Sequence, residues 1–141
     1  MTEYLPTREE RLQAFLDRTP FARFLDLQCE VMGDEMTAIL PFQSKLIGNQ
    51  TIKALHGGAI GAFLELTAMA QLFLLTEVSS FPKPINLTID YLRQGRAENL
   101  FARASVTKQG RRIANVRAEA WQAEREKPVA TLNAHFLLGD G

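Results

Sequence analysis

Between Ala54 and Glu77 the chain carries no lysine or arginine, and from Ala59 to Leu75 it is apolar except for Glu65, Thr67 and Gln71. Ile60, Phe63, Leu64, Leu66, Met69, Leu72, Phe73, Leu74 and Leu75 leave no polar face at helical spacing. A helix of that kind has to be wrapped by the rest of the fold. Its 17 residues are marginal for a membrane span, and a carboxylate at its middle argues for a buried helix instead. The chain has 141 residues in which to build that wrapping, enough for one domain. We read residues 1–141 as a single domain, with residues 1–20 as an N-terminal helical extension.

The flanking segments supply the wrapping. Thr7-Arg8-Glu9-Glu10 has the form of a capping box, and Leu12, Phe15 and Leu16 follow at helical spacing. Thr19-Pro20 should end that helix, since a residue before proline avoids the α region. From Phe24 the pattern turns to period two, with Leu25, Leu27, Cys29 and Val31 alternating with polar residues. Gly33-Asp34 marks a turn, and Met36 to Phe42 is the partner strand. Gln43 to Lys53 is polar and irregular. The central helix runs from His56-Gly57-Gly58 to about Thr76 or Glu77. Four strand-like segments follow: Ile85–Leu92, Leu100–Lys108, Arg112–Ala123 and Val129–Leu138. Turns at Gln94-Gly95-Arg96, Gln109-Gly110-Arg111 and Glu124–Lys127 separate them. Such short connections imply antiparallel neighbours. Alternating alanines (Ala102, Ala104; Ala114, Ala118, Ala120) give the sheet a face of small residues that a helix can approach closely. The expected class is α+β, one antiparallel sheet around one helix.

Glu65 and the helix start hold the chemistry. A buried, unpaired carboxylate costs several kcal/mol or takes up a proton. Glu65 is therefore either a general base or nucleophile at the edge of an acyl pocket, or it pairs with an arginine such as Arg93, Arg103 or Arg117 or points to solvent through a gap in the sheet. Two glycines at a helix start cost about 1 kcal/mol each against alanine. They are useful where something approaches the backbone, and the free N–H groups of the first turn form a ready oxyanion site. The plainer alternative is a flexible junction with His56 as an N-terminal cap. From His56 to Glu65 is nine positions, about 13 Å of rise. One helix cannot bring Glu65 to its own N-terminus, so joint action on one carbonyl needs two chains.

Leu55-His56-Gly57-Gly58, an acid nine residues after the histidine, and Asn86-Leu87-Thr88-Ile89-Asp90-Tyr91-Leu92 together resemble the PaaI-type hotdog-fold acyl-CoA thioesterases, over about Phe21 to Leu138. The resemblance implies a hotdog fold and a homodimer joined edge to edge, often paired again as a homotetramer. It implies hydrolysis of an acyl- or aryl-CoA thioester at sites on the dimer interface. The N–H of Gly57 would polarise the thioester carbonyl, His56 would hold that loop, and Glu65 of the other subunit would activate water or attack directly. Gly58 would let the substrate come close. Three positions depart from the family. The helix acid is more often Asp. The usual Asn six residues before the histidine is Gln50 here, with Asn49 one earlier, so either residue can take its role. Lys83-Pro84 stands where a water-positioning hydroxyl is common.

Coenzyme A phosphates need cations. Lys108, Arg111 and Arg112 around Gly110 are one candidate clamp, favoured by the resemblance, and Arg93 and Arg96 around Gly95 are another. Phe63, Leu66, Phe73 and Leu75 line an acyl tunnel or belong to the core.

The remaining expectations are negative. Lys+Arg and Asp+Glu are both 16, which points to no nucleic-acid or membrane partner. Cys29 is the lone cysteine, so an intrachain disulfide is impossible, which with the absence of a signal-peptide pattern suggests a cytoplasmic protein. His56, His135 and Cys29 have no zinc spacing, so neither a metal nor an organic cofactor is expected. His135 reads as a structural or interface histidine. An enoyl-thioester hydratase or dehydratase on the same fold, and a non-enzymatic acyl-CoA-binding module, are the alternatives.

Overall fold

The computed structural model describes residues 4–75 and 81–139. Helix α1 (Arg8–Arg18) starts on the expected capping box: the Glu10 N–H donates to the Thr7 hydroxyl at 3.1 Å and the Thr7 N–H to the Glu10 carboxylate at 3.3 Å. Its apolar face buries Leu12 and Phe15. Pro20 ends α1 but opens a second helix, α2 (Pro20–Leu25), a correction to the period-two reading from Phe24. Proline has no N–H to lose at a first helical position. Asp26 closes α2 in the left-handed region at φ 58°, and the strand starts only at Gln28.

Strands β1 (Gln28–Met32) and β2 (Glu35–Leu40) form the hairpin expected at Gly33, whose φ is +64°. The segment expected to be irregular holds a 3-10 turn, Ser44–Leu46, and a small hairpin of β3 (Ile47–Asn49) and β4 (Ala54–Leu55). Helix α3 (Gly57–Leu75) follows; the expected end at Thr76 or Glu77 lies outside the described residues. The last strands are β5 (Lys83–Tyr91), β6 (Leu100–Gln109), β7 (Ile113–Trp121) and β8 (Ala130–Leu137).

All six long strands join one antiparallel sheet in the order β1-β2-β6-β7-β8-β5. The hairpins β6–β7 and β7–β8 are as expected, but β5 and β6 are not neighbours, which corrects the reading of the Gln94-Gly95-Arg96 turn. The segment between them is pinned elsewhere. Gly95 O accepts from Leu55 N at 2.9 Å, and a Cβ at Gly95 would stand 3.0 Å from Ile60. The chain therefore crosses the start of α3 instead of folding back, and β5 takes the free edge of β8.

The sheet wraps α3 as its small residues predict. Ala102, Ala114, Val116, Ala120, Ala130 and Ala134 are fully buried beneath it, with Phe63, Leu64, Leu72 and Leu74 of the helix equally closed. Each such helix side chain contributes roughly 1.5–3 kcal/mol of burial. By length and composition α3 could cross a membrane, yet about two thirds of it (67%) is buried inside this fold. The architecture is the hotdog fold, a sheet curled around one long helix.

The edge strand β5 is exposed along nearly its whole length, and Ile85 (52%), Leu87 (36%) and Tyr91 (53%) stand open to solvent. Pro84 sits where the pairing with β8 shifts register, a position that needs no N–H donor.

Candidate active site

The chain enters α3 from β4, and three contacts fix that entry. His56 N donates to Leu46 O at 2.8 Å, Leu55 N donates to Gly95 O, and the Gly58 N–H donates to His56 Nδ1 at 2.8 Å. His56 is thus the cap of α3, and a neutral ring keeps its proton on Nε2. Ala59 N and Ile60 N both donate to His56 O. Of the first-turn donors, only the Gly57 N–H has no partner among the described residues. Its C=O accepts from the Tyr91 hydroxyl at 2.7 Å.

The glycines divide by what crowds them. An added Cβ at Gly61 would meet Ile89 at 2.9 Å and the Tyr91 hydroxyl at 3.0 Å, so β5 crosses α3 there. At Gly58 the Cβ would meet the His56 ring at 2.9 Å, and at Gly48 the His56 Cα at 2.8 Å. At Gly57 the nearest atom is 3.5 Å away, an ordinary contact. Packing within the chain does not require glycine at 57. A methyl there would rest against the Tyr91 ring without a clash, so glycine at 57 is not explained by crowding.

Glu65 is half-buried, two turns further along α3, and burial pushes its carboxyl above the usual carboxylate range. No ion pair or hydrogen bond from the described residues reaches it. Arg93 donates to Pro128 O at 2.8 Å and Arg103 pairs with Glu35 at 3.1 Å, so neither supplies the counter-charge that sequence left open. Gly57 and Glu65 are eight positions apart, about 12 Å along one helix.

Asn49 and Gln50 lie on the loop beside His56. The Asn49 side-chain oxygen accepts from Thr51 N at 3.0 Å and so shapes the turn, while Gln50 accepts from Lys53 at 3.2 Å. Lys108, Gly110, Arg111 and Arg112 converge on a cleft of about 490 Å³, with Asn115 and His135 also lining it. None of its three cations is in an ion pair among the described residues. Arg93 is not part of this cleft. Arg93 N bonds Val129 at the start of β8, whereas the Gly110 turn adjoins its end, where Ile113 pairs with Leu137. Eight residues of strand put the two about 25 Å apart. Of the candidate acyl-lining residues, Phe63 and Leu66 are core, while Phe73 and Leu75 reach the surface. Burial pushes the Cys29 thiol up to about 12, which suits a packing residue and not a nucleophile.

Sequence reasoning passed over Tyr91, Gly48 and Asn115. Tyr91 entered only as part of the Asn86–Leu92 strand motif, with nothing to tie it to Gly57, 34 residues away. His135 has a larger polar setting than expected of it: Nδ1 faces Asn86 Oδ1 at 3.0 Å and Nε2 faces the Asn115 amide nitrogen at 3.3 Å, which places the proton on Nδ1.

Residues 47–137, which include the loop, the helix and the four last strands, match the family described as "Acyl-CoA thioesterase N-terminal domain". The chain belongs to this family. It is a thioester hydrolase, an acyl-CoA thioesterase. This thioesterase is 28% identical over 142 residues to the medium/long-chain acyl-CoA thioesterase YigI of Escherichia coli K12, covering 90% of each chain. Its fold is similar to a crystal structure of a Chromobacterium violaceum protein (39% identity, 94% of this chain and 93% of that one, TM-score 0.74). A Bacillus halodurans protein solved with CoA shares the fold at 18% identity (97% and 96% covered, TM-score 0.75).

Proposed function

We propose that this thioesterase works as a homodimer with two shared active sites, each built from Glu65 of one subunit and the Gly57 N–H of the other. One observation supports this above all. The free donor and the unpaired carboxylate lie on one rigid helix, about 12 Å apart, too far to act on the same carbonyl. Two copies of α3 running antiparallel about a two-fold axis at the level of Gly61 oppose each Gly57 to a Glu65. The bare, apolar edge of β5 is the natural seam, since exposed edges of that kind are otherwise blunted or covered.

In this site the thioester carbonyl oxygen sits on the Gly57 N–H, at the positive end of the α3 dipole. Glu65 of the partner subunit takes a proton from water as the water oxygen attacks the carbonyl carbon. The tetrahedral intermediate collapses, the C–S bond breaks, and the proton passes from Glu65 to the CoA sulfur. The products are a free acyl or aryl acid and CoA. A half-buried carboxyl with a raised pKa is a better base near neutral pH than an exposed one. His56 holds the oxyanion loop, Gly58 admits the substrate, and Asn49 or Gln50 borders it. The Lys108–Arg112 cleft is the candidate phosphate clamp, in keeping with the CoA carried by the Bacillus halodurans protein. Arg93 of one subunit could join the clamp of the other across the seam. The half-buried free thiol of Cys29 fits a reducing, cytoplasmic setting.

The test is complementation between subunits. Glu65→Gln removes the base and should lower kcat by about 10²–10⁴-fold. Gly57→Pro removes the donor at a first helical position, where proline is tolerated. Each variant alone should be nearly inactive, and mixed dimers should recover activity, because half of the sites in a hybrid are intact. No recovery on mixing, or undiminished turnover by Glu65→Gln, would overturn the two-chain site.

A further inference from the structure

One stripe of α3 escapes the wrapping. At 100° per residue, Gly58, Ala62, Glu65 and Met69 fall within about 60° of one another around the helix. Gly58 is exposed, Ala62 and Glu65 are half-buried, and Met69 is 9% exposed. One turn on, Leu72 is completely closed and Phe73 flanks the stripe. The stripe therefore closes steadily from the helix start towards its end. On one side it is bounded by Ile89 and Tyr91 of β5, which press on Gly61. On the other stands an aromatic cluster: Phe73 stacks on Phe15 of α1 at 4.9 Å, and Phe81 packs on both, at 5.5 Å from Phe73 and 6.0 Å from Phe15.

We propose that the substrate's acyl chain runs along this stripe from Glu65 towards Phe73, and that Met69 and the Phe15–Phe73–Phe81 cluster set the length of chain accepted. The inference rests on the Glu65 site described above. Polarity fixes the direction. Towards the helix start the stripe leads to His56 and the free Gly57 N–H, which suit the thioester and coenzyme A. Towards the helix end, among the described residues, it leads to Met, Leu and Phe side chains, which suit a hydrocarbon.

Helix geometry fixes the length. From Glu65 to Phe73 is eight positions, about 12 Å. A zigzag chain with C–C bonds of about 1.5 Å advances about 1.25 Å per carbon, so about eight to ten carbons reach the aromatic rings. The substrate class is a medium-chain acyl thioester. Met69 lies halfway, and its flexible thioether is the adjustable floor. Phe15 makes the N-terminal helix part of the specificity device.

The test is a chain-length profile with butyryl-, octanoyl-, decanoyl- and palmitoyl-CoA. Wild-type kcat/KM should rise to octanoyl or decanoyl and fall beyond. Met69→Phe fills the stripe at its midpoint. It should lower the decanoyl-to-butyryl ratio by about 60-fold, from three displaced methylenes at about fourfold each. Phe73→Leu opens the far end and should move the optimum towards palmitoyl. A profile unchanged in both variants, with turnover still lost in Glu65→Gln, overturns the ruler and leaves the catalytic reading intact. Dissociation of Met69→Phe into monomers by sedimentation also overturns it, because the stripe would then be filled by the second subunit. No wild-type turnover at any length removes both readings.

Discussion

Replacing Gly48 by alanine sets a methyl group against the backbone of His56. The new Cβ would stand 2.8 Å from the His56 Cα, 3.0 Å from its Cβ and 3.1 Å from Cδ2. Opening the first contact to 3.4 Å, the near edge of ordinary packing, moves His56 by 0.6 Å (3.4 − 2.8). The strain cannot be relieved by a rotamer change, because the nearest atom belongs to the main chain. That main chain is tied to Leu46 O through the His56 N–H and continues straight into Gly57. Gly57 must follow, and with it the proposed oxyanion donor. A misplacement of about 1 Å in a reacting constellation can cost about 100-fold, so 0.6 Å should cost about 10- to 20-fold in kcat. The overpacking itself should destabilise the fold by about 1–3 kcal/mol. The assay is octanoyl-CoA hydrolysis well below the melting temperature, alongside a thermal melt. A lowered Tm with kcat within a factor of two of wild type would refute the reasoning, since it would show that the His56 loop moves without moving the chemistry.

Two further perturbations bear on the same site. Burial raises the folded-state pKa of Glu65, so the folded chain holds that proton more tightly than the unfolded one. Stability is then lost as pH rises from the ordinary Glu range through the raised folded value. Glu65→Gln should therefore be more stable than wild type at pH 7.5, by on the order of 0.5–1 kcal/mol at so open a site. The difference should vanish below about pH 4, as urea melts at the two pH values would show. Wild-type kcat/KM should climb through the same window as the base loses its proton, and a flat profile there would count against Glu65 as the base. Tyr91→Phe removes the hydroxyl that holds Gly57 O at 2.7 Å. A loosened Gly57 should lower kcat by about three- to tenfold, about 1 kcal/mol of transition-state binding, with KM and Tm little changed. A rise in KM at constant kcat would instead assign Tyr91 to substrate binding.

The misreadings of the sequence share one cause. Leu25 and Leu27 alternate equally well as the end of a helix and the start of a strand, and only the left-handed Asp26 separates the two. The Gln94-Gly95-Arg96 segment has the composition of a hairpin turn. It is a crossover because Leu55 and Ile60 hold Gly95 from the far side of the fold. Arg93 and Arg112 are interchangeable as phosphate ligands on paper, and the length of β8 puts them at opposite ends of the sheet.

What the sequence determined by itself was whatever depends on neighbours along the chain. The capping box, the all-apolar helix with one acid inside it and the small-residue strands are all matters of spacing. Tertiary structure decided what depends on neighbours in space. It showed which first-turn N–H is left free, why β5 and its apolar face are bare, and that Tyr91 and Gly48 hold the loop from segments remote in sequence. Helix and strand periodicity acts over a few residues and is written in order. Close approach between distant backbones depends on how the sheet curls round α3, which no local window records.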